Sequence, residues 1–216
     1  MLEDTGERVI PEKMKITNEL LIEHVARYHF AREHAYGRVL DFACGSGYGA
    51  HIIIKKSKGR VNEVVGVDID LESVKYAKAT YFHHNSTFME ADVTDPELPE
   101  KLGQFDCILS FETIEHIEDE KRFLSNIYRM LKPGGTLIMS TPFGEGRGVP
   151  SGYPFHVHQL TKGEFRNLFE EYTSSEFYFQ KGALIMPADF GAERNRGTGS
   201  VSRVKHYPVG IAVCRK

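Results

Sequence analysis

Three aspartates stand where chemistry is done: Asp41, Asp68 and Asp92 lie at the ends of short apolar runs, at 38–43, 61–67 and 88–91. After the first run comes Asp41-Phe42-Ala43-Cys44-Gly45-Ser46-Gly47-Tyr48-Gly49. Small residues between a strand and a helix let the backbone approach a ligand closely at the helix N-terminus. Gly45, Gly47 and Ala50 also satisfy the loose dinucleotide pattern G-x-G-x-x-A. Asp41 argues against a pyrophosphate there, because a carboxylate beside a phosphate repels it in a partly dry site. A cation is attracted instead. Asp68 follows Gly49 by 19 residues, in place to accept from both hydroxyls of a ribose, and Asp92 can accept from an adenine amine. S-adenosylmethionine offers an ammonium, a sulfonium, a ribose and an adenine, and no phosphate.

A second group follows the apolar run 105–110. Glu112-Thr113-Ile114-Glu115-His116 places two carboxylates and an imidazole at i, i+3 and i+4, one face of a helical turn. Such a face can bind a divalent cation, Mg²⁺ or Mn²⁺ where oxygen ligands predominate. A metal would hold an acceptor's adjacent hydroxyls and lower the pKa of the one attacked. The same face could instead supply a base or an acceptor-positioning group, or simply pack over the cofactor.

These groups need a scaffold that brings strand ends together. The chain alternates between the two periods of regular structure. Leu21, Val25, Tyr28 and Ala35 share a helix face, and Gly37 ends that segment. The strand 38–43 leads through the glycine loop to a helix at 49–56. Strand 61–67 is followed by Asp70, a capping residue for a helix over 71–81. Strands at 88–91 and 105–110 follow. Phe123, Ile127, Met130 and Leu131 again mark one helix face, ahead of a Lys132-Pro133-Gly134-Gly135 turn and a strand at 136–140. Thr161-x-x-Glu164 is a capping box, and strands at 177–180 and 209–213 close the chain. Strand–helix alternation predicts an α/β fold, a doubly wound and mostly parallel sheet.

Composition agrees with one globular domain. The chain has 216 residues, 41% hydrophobic and 26% charged, with net charge −3. The acidic balance argues against broad nucleic-acid binding. No apolar run is long enough to span a membrane, and the acidic first residues do not form a secretory leader. Cys44, Cys107 and Cys214 are odd in number and far apart, which suits a reducing cytoplasm rather than a disulfide framework. Nothing in the sequence marks an oligomer interface.

Together DFACGSGYG (41–49), VVGVDI (64–69), ADV (91–93), FDCILSFETIEHI (105–117), LKPGGTLIMSTP (131–142) and FHVHQLTKGEF (155–165) resemble class I S-adenosylmethionine-dependent methyltransferases of the type 11 small-molecule group. The resemblance implies a seven-stranded sheet of order 3-2-1-4-5-7-6 with the last strand antiparallel. By position it implies Asp41 and Gly45 at the methionine portion, Asp68 at the ribose, Ile69 at the adenine ring and Asp92 at the adenine amine. Ser110 and Phe111 would line the methyl-donor side, and Ala43, Gly47 and Val93 complete the cofactor-binding set. His116 and Glu115 become the catalytic candidates. The segment GERVIPE (6–12) with Arg27-Tyr28 resembles glycan-associated bacterial and archaeal methyltransferases, in which an N-terminal segment (1–36 here) folds over the cofactor, ahead of a methyltransferase domain at 37–216.

The E-x-x-E-H string also resembles metal-dependent O-methyltransferases acting on catechols in quinone biosynthesis, and small-RNA 3′-terminal 2′-O-methyltransferases. By that likeness the metal ligands are Glu112, Glu115, His116 and His156, with His158 as neighbour. The expectation is O-methylation of a small molecule or a glycan sugar. The alternatives are a small-RNA 2′-O-methyltransferase and a non-catalytic module that binds the cofactor. A base-amine methyltransferase would show a proline-aromatic clamp where Ser110-Phe111-Glu112-Thr113 stands. Arg194, Arg196 and Arg203, in a glycine-serine stretch, suggest a solvated hairpin or an anion-binding lid.

Overall fold

A computed structural model describes residues 2, 6–190 and 208–216. The expectation for the arginine-bearing stretch 191–203 lies outside them.

The elements follow the alternation read from the sequence. Helix α1 spans Glu19–Ala31, capped by the Asn18 side chain. Then come β1 (Gly37–Phe42), α2 (Tyr48–Lys56), β2 (Val61–Asp68), α3 (Leu71–Thr80) and β3 (Ser86–Glu90). Asp70 caps α3 by accepting from the Glu72 N–H, as its position predicts. Helix α4 (Leu98–Leu102), β4 (Phe105–Phe111), a 3-10 turn at Ile114–His116, α5 (Glu120–Met130) and β5 (Leu131–Pro142) follow. The capping box at Thr161 and Glu164 opens α6 (Lys162–Asn167). Strands β6 (Ser174–Lys181), β7 (Leu184–Pro187) and β8 (Val209–Arg215) complete the sheet.

The sheet order is β3-β2-β1-β4-β5-β8-β6-β7. Strands β1 to β5 pair in parallel, and β8 runs antiparallel between β5 and β6. This is the expected order with an eighth strand added. Strand β7 pairs antiparallel with β6 through a two-residue turn whose Gly182 has φ 58°. Its residues carry no alternation of buried and exposed positions, so no period marks it. Leu131 also departs from its predicted helix: it is the buried first residue of β5.

The period of two along β1 sets the chemistry of each face. Val39 packs with α1 and α2 on one side, among Tyr28, Ala50 and Ile53. Leu40 and Phe42 pack on the other, with Phe123 and Ile127 of α5. Asp41 shares Val39's face and is therefore driven under α1. Parallel strands buried on both faces put their carboxyl ends along one edge, where a crevice forms between β1 and β4.

Candidate functional site: a cofactor cleft with an acceptor wall

A cleft of about 430 Å³ opens over the ends of β1, β2, β3 and β4. Two non-glycine residues with left-handed backbone flank it: Ala43 (φ 68°) after β1 and Glu112 (φ 48°) after β4. Such conformations are strained and cluster where backbone geometry serves a site.

Of the sequence-derived cofactor residues, Ala43, Gly45, Asp68, Ile69, Asp92, Val93 and Phe111 line this cleft. Asp68 accepts from the Gly45 N–H at 2.7 Å and the Asp70 N–H at 3.0 Å, which fixes the glycine loop to the end of β2. Asp92 holds its own turn by accepting from the Thr94 N–H and hydroxyl through one oxygen. Ile69 is 69% exposed and offers an apolar surface at the cleft.

Asp41, Gly47 and Ser110 do not line the cleft. Asp41 is 1% exposed and accepts from the Tyr28 hydroxyl at 3.0 Å. Burial pushes its carboxyl up to about 7, against the pull of the Tyr28 hydrogen bond. Burial also raises Asp68. Gly47 (φ 87°) has a steric duty: a Cβ there would stand 2.5 Å from Ala77. Ser110 points to the α5 face of β4 and is buried.

The resemblance implies an N-terminal segment over the cofactor, carried by 6–12 with Arg27-Tyr28; it does not name His24 or Tyr48 as part of the wall. Glu7, Arg8 and Val9 line the cleft, as do His24 and Tyr28 of α1 and Tyr48 of α2. The segment is tied down at several points. Ser46 Oγ donates to the Val9 carbonyl at 2.7 Å, Arg8 pairs with Asp70 at 2.7 Å, and Glu12 accepts from Tyr76 and Tyr81. A Cβ at Gly49 would lie 1.9 Å from the Tyr28 ring, so the last glycine of the loop makes room for α1 rather than for a ligand.

The Glu112–His116 group does not form one helical face. The left-handed Glu112 and the short 3-10 turn send its side chains apart. Glu112 accepts from Ser140 Oγ at 2.7 Å and stands 4.0 Å from Arg27 Nη1. Glu115 is 1% exposed and accepts from Thr141 Oγ1 at 3.0 Å; burial, then the Glu112 charge, raises its carboxyl well above the usual range. Its backbone carbonyl accepts from the N–H groups of Val157 and His158, which anchors the loop after β5. His116 lines the cleft, and its Nδ1 donates to the Phe155 carbonyl at 2.9 Å. Of the four side chains implied as metal ligands, His116 and His156 are brought together, while Glu112 and Glu115 do not join them. Both carboxylates are engaged elsewhere, and no catalytic step is derived through a metal held by that set. His158 lies apart, 3.4 Å from Glu120.

Residues 40–139 match the methyltransferase domain family. The chain is 33% identical over 175 residues to a probable S-adenosylmethionine-dependent methyltransferase of Mycolicibacterium smegmatis, covering 77% of this chain and 63% of that protein. It is 31% identical over 112 residues to the ubiquinone biosynthesis O-methyltransferase of Xanthomonas oryzae, covering 50% and 44%. The chain thus spans less than two thirds of these relatives' length. The fold resembles that of the small RNA methyltransferase HEN1, with TM-score 0.67 at 19% identity over 96% of this chain and 27% of the other. The segment 40–139 is similar to methyltransferase domains, and the chain has the α/β fold seen in S-adenosylmethionine-dependent methyltransferases. Among the described residues no helix is long and apolar enough to cross a membrane.

Proposed function

We propose that the protein transfers a methyl group from S-adenosylmethionine to a hydroxyl of a small molecule or of a sugar in a glycan. The cleft's chemistry supports the cofactor. Asp68 and Asp92 form a negative floor suited to a cation, with Asp41 buried behind it under Tyr28 and Ile69 offered to a flat apolar ring. The N-terminal segment closes over that cofactor.

The observation that carries the acceptor reading is the state of His116. Its Nδ1–H is committed to the Phe155 carbonyl, so the neutral ring carries its lone pair on Nε2, away from that carbonyl. Methyl transfer is an in-line displacement on sulfonium, whose leaving group is already good. The enzyme must align donor and acceptor and take the acceptor's proton. His116 Nε2 takes that proton. Glu115 is a positioning residue: through its carbonyl it holds the 155–158 loop, and so the Phe155 carbonyl that orients His116. The O-methyltransferase relative agrees with a hydroxyl acceptor. The small-RNA reading has the likeness to HEN1, at the level of fold alone, and net charge −3 weighs against it.

The test is transfer of labelled methyl from S-adenosylmethionine to catechols, single-hydroxyl sugars, lipid-linked glycans and RNA 3′ ends. Label recovered as an O-methyl ether on a small molecule or sugar supports the proposal. Label confined to RNA ends, or recovered on nitrogen or carbon, contradicts it.

A further inference from the structure

Three side chains from distant parts of the sequence meet beside the cleft: Glu7 of the N-terminal segment, His116 after β4, and His156 in the loop after β5. One ligand atom of each lies within 4.8 Å of the other two. The imidazole rings of His116 and His156 stand edge to face with centroids 4.8 Å apart, and His156 Nε2 is 3.7 Å from Glu7 Oε1.

Both rings are fixed through the nitrogen that a metal would not use. His116 Nδ1 donates to the Phe155 carbonyl at 2.9 Å. His156 Nδ1 is 3.2 Å from Gln159 Nε2, which donates to it as placed; with that amide turned over, its oxygen accepts from an Nδ1–H, and Tyr153 stacks on the same ring at 5.0 Å. Metal-ligating histidines donate the far ring N–H to a carboxylate, a backbone carbonyl or water, and His116 is held in this way.

The donor set differs from the oxygen-rich one that the E-x-x-E-H string suggests. Glu112 and Glu115 are spent on Ser140, Arg27 and Thr141. Two imidazole nitrogens and one carboxylate favour zinc and its transition-metal neighbours over Mg²⁺. Three protein ligands also leave one position open. Ligand atoms about 2.1 Å from zinc in tetrahedral array stand about 3.4 Å apart. The Glu7–His156 separation is already close to that, and Glu7, with a side chain 37% exposed, has room to adjust.

We propose that Glu7, His116 and His156 bind a divalent transition metal of the zinc type, and that this metal clasps the N-terminal segment across the cofactor cleft. The segment carries one ligand and the body carries two, so metal binding requires the closed position. The site shares His116 with the proposed acceptor chemistry, but its existence does not depend on that reading. Only its effect on turnover rests on that reading: the metal takes the Nε2 lone pair that His116 would use as a base, so loading slows turnover and a chelator restores it.

The test uses the untagged full chain. Zn²⁺ and Mg²⁺ are titrated calorimetrically, and Co²⁺ is followed by its visible d–d absorption. The same titrations are made on Glu7→Gln, His156→Ala and Glu115→Gln, each checked for folding by circular dichroism. Hydrogen exchange is read over residues 6–14. Expected are saturable one-to-one binding of Zn²⁺ and Co²⁺ and none of Mg²⁺. Loss of a ligand weakens Zn²⁺ at least about tenfold in Glu7→Gln and His156→Ala, while Glu115→Gln changes it less than about threefold. Metal should slow exchange in the segment of the wild-type protein and not in Glu7→Gln. Absence of Zn²⁺ and Co²⁺ binding overturns the proposal. So does binding that survives Glu7→Gln and is lost in Glu115→Gln, which would restore the oxygen-rich set. Binding as expected together with faster turnover would uphold the site and contradict His116 as a free base.

Discussion

The two sides of the cleft are built differently. The cofactor side is made by strand ends and the turns directly after them. Asp68 binds the loop after β1, and Asp92 binds the turn after β3. The acceptor side is assembled from residues 7, 24, 28, 112–117 and 153–159, which only the tertiary fold brings together. One side is a property of sheet topology, which ranks the carboxyl ends of parallel strands along one edge. The other depends on loops whose positions are set by individual long-range contacts, such as the Glu115 carbonyl to the Val157 N–H at 2.9 Å. Loops on a fixed scaffold are where specificity varies. The cofactor side should therefore tolerate loss of acceptor-side groups, and the reverse should fail.

The largest separation of the two sides should come from His116→Ala. Loss of a positioned base lowers kcat by about a hundredfold or more. Cofactor affinity should stay within about twofold, as read by calorimetry with S-adenosylhomocysteine. Equal losses in both would merge the two sides.

Gly49→Ala attacks the joint between them. The new Cβ would stand 1.9 Å from the Tyr28 ring, so α1 must move from α2. Overpacking of this kind destabilises by about 1–3 kcal/mol, measurable by urea denaturation. An unchanged midpoint would mean that Tyr28 is not held where it is found.

Tyr28→Phe tests the same joint with less disruption. It removes the hydroxyl at 3.0 Å from Asp41 and leaves a buried carboxyl without that donor, at about 1–2 kcal/mol. Because the hydroxyl lowers the Asp41 pKa, its loss should raise that pKa further.

The smallest effect is a pH dependence peculiar to the cofactor side. Asp41 titrates near 7 in the free protein because burial disfavours its charge. A cationic ligand favours the ionised form. Cofactor affinity should thus rise as pH increases from about 6 towards 7, by up to tenfold per unit, and level off above about 8. The sign for folding is opposite. The unfolded carboxyl ionises near its ordinary value and the folded one near 7, so Asp41 removes stability from the free protein as pH rises between them. In Asp41→Asn the affinity profile should flatten.

How much of this could be read in the chain follows the same division. The three aspartates, the glycine loop and the Asp70 cap were legible because strand period, turn chemistry and capping are local. The sheet order came from a resemblance and held, with β7 added as a short hairpin partner of β6. Asp41 was placed at the mouth of the loop, but the period of two turns it under Tyr28. The reading of Glu112, Glu115 and His116 as one face assumed an α-helical turn. The left-handed Glu112 and the 3-10 turn break that face, and nothing local foretells it. The resemblance implied that His156 joins His116, and it does; Glu7 meets them only through tertiary contacts, beyond the reach of spacing.

The central claim is that the strand-end carboxylates bind S-adenosylmethionine. Calorimetric titration of S-adenosylmethionine into the wild-type protein and Asp68→Ala tests it most directly. One-to-one binding, weakened about a hundredfold in a variant that keeps its fold, is the predicted result, since hydrogen bonds to a charged group contribute about 1.5–3 kcal/mol each. Absence of binding to the wild type, or equal affinity in the two proteins, would contradict the account.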